Sequence, residues 1–133
     1  MADYLDTSAA AKLVVREPES RALRRYLTGR SEPPFTSDLT RTELVRAVRR
    51  VDPTLTTVAR SVLDACTIVE MPAATFERAA VVEPATLRSL DALHLAAALT
   101  AGDGLDAIIT YDERLAAAAA LVGVRTIGPG TRA

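Results

Sequence analysis

Four carboxylates, Asp6, Glu43, Asp91 and Asp112, lie far apart in a chain of 133 residues, yet each stands beside the start of a segment with helical composition. Gathered in one place, they would repel one another and their pKa values would rise unless a cation sat among them. A donor set made only of oxygen favours a hard divalent ion, Mg²⁺ first and Mn²⁺ as the alternative, over zinc. Such sites keep several waters on the ion and bind phosphate oxygens. Ser8 and Thr110 stand two residues from Asp6 and Asp112, where their hydroxyls could orient a carboxylate or a bound water. Arg114, two residues beyond Asp112, could reach a substrate. His94 follows Asp91 by three and reads as a partly buried, satisfied side chain rather than a ligand.

Each acid also has a plainer role open to it. Asp6 can cap the helix that follows it. Glu43 closes "TRTE" (40–43), which has the form of a capping box. Asp91, with Ser89 as the cap, and Asp112 can serve the positive end of a helix dipole. Thr7 can satisfy amides at a helix start. Arg46, Arg49 and Arg50 share one helical face, as do Arg21, Arg24 and Arg25. Such a face can be simply solvated, or it can be a local patch for phosphates.

The elements that would position these residues alternate along the chain. Strands are expected over 3–6, 34–38, 66–71, 106–110 and 124–128. Helices are expected over 7–15, 17–29, 39–51, 54–65, 73–82, 88–102 and 112–122. Pro18 suits a first turn and Gly29 a stop. Strand–helix alternation predicts right-handed crossovers and a parallel sheet covered on both faces, an α/β three-layer sandwich. In such sheets ligand groups gather beyond the carboxyl ends of the strands. All four acids are expected at that edge.

The length suits one domain over residues 1–133, with "GPGTRA" at the end read as frayed over about 129–133. Hydrophobic residues make up 49% and aromatics 4%, without Trp, so the core must be Ala, Val, Leu and Ile. Cys66 is the only cysteine and reads as a small core residue, which excludes an internal disulfide framework. The N-terminus lacks a basic region and no apolar run reaches the ~18 residues of a membrane span, so a cytoplasmic location is expected. Net charge is −1, from 16 basic and 17 acidic residues, so contact with a polyanion needs a local patch or a metal ion. Neither a nucleotide-binding glycine loop nor a Ser–His–Asp signature is present.

"YLDTSAAAKLV", "TSDLTRTELVRAV", "LRSLDALHLAAAL" and "IITYDERLAAAA" resemble, in order and spacing, the four acidic motifs of the PIN-domain family. More narrowly they look like the VapC toxins of bacterial toxin–antitoxin pairs. The likeness covers nearly the whole chain. It implies a PIN-like α/β/α sandwich and a Mg²⁺- or Mn²⁺-dependent endoribonuclease leaving 5′-phosphate and 3′-hydroxyl ends. Asp6, Glu43, Asp91 and Asp112 would be its acids. It also implies a homodimer and inhibition by a cognate VapB-type antitoxin. One departure stands out: relatives often have an aromatic three residues after the last acid, where this chain has Leu115. A PIN domain that only binds RNA or a protein remains open. A receiver-like signalling module would need adjacent acids after the first strand and a Lys after the fifth, and this chain's only Lys is Lys12.

Overall fold

The computed structural model describes residues 1–131. Five parallel strands form one sheet in the order β3-β2-β1-β4-β5: β1 (Ala2–Leu5), β2 (Phe35–Ser37), β3 (Thr67–Val69), β4 (Leu105–Ile109) and β5 (Thr126–Ile127). Seven helices cover it: α1 (Thr7–Lys12), α2 (Ser20–Thr28), α3 (Asp38–Val51), α4 (Thr56–Asp64), α5 (Ala73–Ala80), α6 (Ser89–Leu99) and α7 (Glu113–Leu121). The sandwich expected from strand–helix alternation is therefore present. No helix among the described residues is long and apolar enough to cross a membrane.

Side-chain alternation along the central strands splits the core in two. Leu5 and Ile109 are paired across β1 and β4 and face α1–α4, joining Ala9, Leu23, Leu44, Val48 and Leu63. Tyr4 and Ile108, one residue earlier, face the other way onto Leu95, Ala98, Leu115 and Ala118 of α6 and α7. Fully burying each large apolar side chain stabilises the fold by roughly 1.5–3 kcal/mol. Leu115 is completely buried here, so it fills a packing position without a polar role. Cys66 packs against the first core, donates to the Val62 carbonyl at 3.3 Å, and its thiol is pushed up to about 11 by burial.

The near-continuous apolar run of α6 has a packing cause. Leu95, Ala97 and Ala98 face the sheet, while Ala92 and Ala96 meet Ala79 of α5 in a third cluster. The helix is thus enclosed between two layers, and its small residues allow α5 to come close. That enclosure fixes the first turn, where Asp91 sits.

Several local expectations are corrected. α3 begins at Asp38, with Ser37 as its flanking residue, so Thr40 lies inside the helix. The Thr40 hydroxyl instead meets Thr36 Oγ1 at 2.7 Å in the interior, and "TRTE" is not a capping box. Ser89 does not cap α6; Arg88 occupies the flanking position and the end has no side-chain cap bond. α1 stops at Lys12 and α2 starts at Ser20, so Pro18 precedes the helix. Of the tail expected to fray, residues 129–131 are among those described. The Tyr111 hydroxyl donates to the Pro129 carbonyl at 2.7 Å. Gly130 has φ +90° and lies so close to α2 that a Cβ there would be 3.0 Å from Ala22 Cβ. The rest of that expected tail, 132–133, lies outside the described residues.

Candidate active site

In the sheet order, β2 and β3 extend to one side of β1 while β4 and β5 extend to the other. The crevice at the carboxyl ends of β1 and β4 is the switch point where open parallel sheets bind ligands. Asp6 follows β1 and Thr110 follows β4, so the two flank that crevice. A cavity of about 360 Å³ opens here, lined by Asp6, Thr7, Ser8, Glu43, Arg88, Ser89, Leu90, Asp91, His94 and Asp112. All four acids expected at one edge line this single cavity. No three His, Cys, Asp or Glu side chains of the described residues stand close enough together to hold one ion.

Asp6 is 3% exposed and firmly held. Its Oδ1 accepts from Ser8 Oγ at 2.7 Å and from the Ala9 amide at 2.9 Å, and its Oδ2 accepts from Thr110 Oγ1. It therefore caps α1 and lines the cavity at once. Burial pushes its carboxyl above the ordinary value of 3.8, against the hydrogen bonds of Thr110, Ala9 and Ser8 and the charge of His94. Thr110 also accepts from the Asp112 amide at 3.0 Å, and Ser8 accepts from the Tyr111 amide at 3.0 Å. These two hydroxyls lock the loops after β1 and β4 together. Asp112 caps α7 through the Arg114 and Leu115 amides.

Glu43 stands on the second turn of α3, opposite α6. Its Oε1 accepts from Thr7 Oγ1 at 2.8 Å and lies 2.6 Å from His94 Nε2. Burial pushes the Glu43 carboxyl up, but the hydrogen bond and charge of His94 and the Thr7 hydroxyl outweigh it and hold the group below 4.5. His94 is 3% exposed, and its Nδ1 meets the Tyr4 hydroxyl at 2.7 Å; that hydroxyl also contacts Ser37 Oγ at 2.9 Å. A carboxylate only accepts, so Nε2 carries the proton toward Glu43. His94 is a satisfied, buried side chain, as expected, and it positions Glu43. Thr7 differs from expectation, because its hydroxyl serves Glu43 and not a helix-start amide.

The sequence reading missed Arg88. Its Nε is 3.0 Å from Asp91 Oδ2 and its Nη2 is 2.8 Å from Asp112 Oδ2. The available signal was its place three residues before Asp91, an ion-pair spacing at a helix start. The Arg114 side chain is exposed on the first turn of α7 and does not line the cavity. Arg46, Arg49 and Arg50 line a neighbouring cleft of about 990 Å³ with Leu39, Met71, Phe76 and Leu90. Thr7 and Glu43 belong to both, so the cleft runs into the acidic cavity. Arg24 lies elsewhere and bonds the Leu13 carbonyl.

The family model for the PIN domain matches residues 4–121. The chain belongs to the PIN-domain family. Ribonuclease VapC47 of Mycobacterium tuberculosis (strain CDC 1551 / Oshkosh) is 45% identical over 131 residues, covering 96% of each chain. Ribonuclease VapC46 of Mycobacterium tuberculosis (strain ATCC 25618 / H37Rv) is 41% identical over 126 residues, covering 95% of this chain and 96% of its own. Among solved structures, Mycobacterium tuberculosis VapC20, a toxin that cleaves the sarcin–ricin loop, superposes with a TM-score of 0.76. That likeness covers 96% of this chain and all of VapC20 at 16% identity, and it speaks for the fold. In this PIN domain the matched span includes all four acids as well as Arg88 and His94.

The oxygen-rich cavity suits a hard cation. Four carboxylates line it against one guanidinium, and that guanidinium already bridges Asp91 and Asp112. The donor chemistry therefore fits a hard divalent cation.

Proposed function

We propose that this PIN domain is a divalent-metal-dependent endoribonuclease and the toxin of a VapBC-type pair. The observation that carries the reading is the convergence of Asp6, Glu43, Asp91 and Asp112 on one cavity at the sheet's switch point. The VapC ribonucleases among its relatives support it. Asp6, Asp91 and Asp112 would hold the ion, at most two of them directly as the side chains stand and the rest through water, with Mg²⁺ favoured and Mn²⁺ as substitute. When bound, the ion supplies positive charge that makes a water more acidic and offsets charge on the phosphodiester.

The chain's own residues do the rest. Thr110 and Ser8 keep Asp6 aimed at the cavity, and Thr110 also anchors the Asp112 loop. Glu43 stays ionised at neutral pH because His94 and Thr7 bond it, so it suits holding a water by accepting its hydrogen better than carrying a proton away. Arg46, Arg49 and Arg50 lead a single strand of RNA toward Glu43 along the neighbouring cleft. Arg114 can approach only a flanking phosphate. Exposed apolar side chains on and near α5 and α6, Phe76, Val81 and Leu90, suit a protein partner, either the VapB-type antitoxin or the second subunit of a homodimer. Such a toxin would act in the cytoplasm.

The test is cleavage of single-stranded RNA by purified chain stripped of any co-purifying small protein. Cleavage is expected with Mg²⁺ or Mn²⁺, none in excess EDTA, and none for folded Asp6→Asn or Asp91→Asn. Full activity in EDTA or in Asp91→Asn would overturn the reading.

A further inference from the structure

Arg88 has no part in the roles assigned above, yet it holds the most telling position in the cavity. It flanks α6 with extended backbone (φ −62°, ψ 147°), and its guanidinium reaches across to acids of two separate elements. Among the described residues it is the only Arg or Lys lining the cavity. Its side chain is 58% exposed, unlike the carboxylates it joins, which are at 11% and 22%. Asp112 is fixed by the first amides of α7 and Asp91 is placed by the first turn of α6, whereas the cation is held only by its tip. An exposed side chain changes rotamer in picoseconds to nanoseconds without moving its backbone.

We propose that Arg88 is a tethered counter-ion. In the metal-free protein its guanidinium neutralises Asp91 and Asp112, and a divalent cation must displace it to use those oxygens. Once displaced, the planar fork is free to take a phosphate of bound RNA, for which its geometry is suited. Metal uptake and the arming of a phosphate contact then become one event. A hard divalent ion about 2.1 Å from those oxygens would stand within a few ångströms of the guanidinium, and repulsion between the two cations favours the guanidinium's leaving. The inference rests on the metal-dependent reading above and adds a regulation of the same site.

The test is calorimetric titration of Mn²⁺ into the chelator-treated, RNA-free full chain, for wild type, Arg88→Gln, Arg88→Lys and Asp91→Asn. Circular dichroism first establishes that each variant is folded. Arg88→Gln is expected to bind Mn²⁺ about two- to thirtyfold more tightly than wild type, the span that two solvent-facing ion pairs command. Arg88→Lys should fall between, since an ammonium lacks the fork that bridges two carboxylates. In RNA cleavage, Arg88→Gln should raise KM by more than it changes kcat. Equal or weaker Mn²⁺ binding by Arg88→Gln, with Asp91→Asn not binding, would overturn the counter-ion and leave the metal reading standing. Tighter Mn²⁺ binding with unchanged KM would overturn the phosphate contact. If neither wild type nor Arg88→Gln takes up Mn²⁺, the metal reading falls and this inference with it.

Discussion

Replacing Thr110 by Val is the sharpest test of how the cavity is built, because the exchange keeps shape and removes one hydroxyl. That hydroxyl donates to Asp6 Oδ2 and accepts from the Asp112 amide at 3.0 Å, and Thr110 is buried. Removing it costs a bond to a charged group, about 1.5–3 kcal/mol, and leaves a half-buried amide unmet, about 1 kcal/mol. These losses overlap, so roughly 3 kcal/mol in total is expected. With unfolding entropy near 2.1 cal/mol/K per residue, the 133-residue chain has about 280 cal/mol/K, and Tm should fall by about 10 °C. Thr110→Ser keeps the hydroxyl and loses one methyl, so it should cost only about 1 kcal/mol. The pH dependence gives a second readout. Burial already raises Asp6 above 3.8 in the fold, so its contribution to stability declines as pH rises from 3.8 through the folded value. Losing the Thr110 donor raises that folded value further and extends the decline to higher pH. Thermal and urea melts in chelator across this range check both points. If Thr110→Val matched Thr110→Ser in stability, the hydroxyl bridge would be refuted as the link between the two loops.

His94→Leu should cost about 2–3 kcal/mol in urea melts, since it leaves the Tyr4 hydroxyl with Ser37 alone and removes the main partner of Glu43. Glu43 is held below 4.5, so the stability it contributes is present above 4.5 and lost as pH falls through its folded value. Glu43→Gln should therefore flatten the acid limb of a stability–pH profile relative to wild type, a change opposite in sign to that of Asp6→Asn. Joint replacement of Arg46, Arg49 and Arg50 by Ala in an Asp91→Asn background should weaken binding of single-stranded RNA. It should also lower the slope of log K against log salt by about 2, at roughly 0.7 per lost phosphate contact, in anisotropy titrations. All three side chains are exposed, so the melting temperature should stay near wild type.

The alternation of β-branched runs with Ala- and Leu-rich segments was enough to read the parallel sandwich, since each element's pattern agrees with its neighbours. Asp6 and Asp112 were legible because a carboxylate directly after a strand in such a fold can only stand at the carboxyl edge. Glu43 was harder. "TRTE" mimics a capping box, and only the start of α3 at Asp38, set by how β2 ends, puts Glu43 a turn further in and toward His94. Arg88 could not be weighed from local spacing. Its second partner, Asp112, is 24 residues away, and that ion pair exists only once α6 and α7 lie side by side. Likewise the bond from Tyr4 to His94 spans 90 residues and depends on which face of β1 the phenol takes. Element order sets which residues share an edge; contacts made across elements need the packing itself.

The two ends of the sheet make the case for a missing charge. At the amino end, Asp3 and Asp106 are met by Arg30, whose Nε is 3.1 Å from Asp3 and whose Nη2 is 2.5 Å from Asp106, and by Arg125, 3.3 Å from Asp106. Two acids there face two guanidinium groups, and the Tyr26 hydroxyl adds a donor to Asp3. That end is balanced in charge, with Asp3 Oδ1 left as a buried oxygen without a hydrogen-bond partner. At the carboxyl end, Asp6, Glu43, Asp91 and Asp112 share a cavity with Arg88 as its sole Arg or Lys among the described residues. Both ends belong to the same β1 and β4, and the fold can recruit arginine where it is needed, as it does beside Asp3. Leaving two of the four acids, Asp6 and Glu43, without an arginine partner, and the other two to share one, costs stability that a purely structural edge would have no reason to forgo. The surplus is what a site would hold in reserve for a cation it must bind and release.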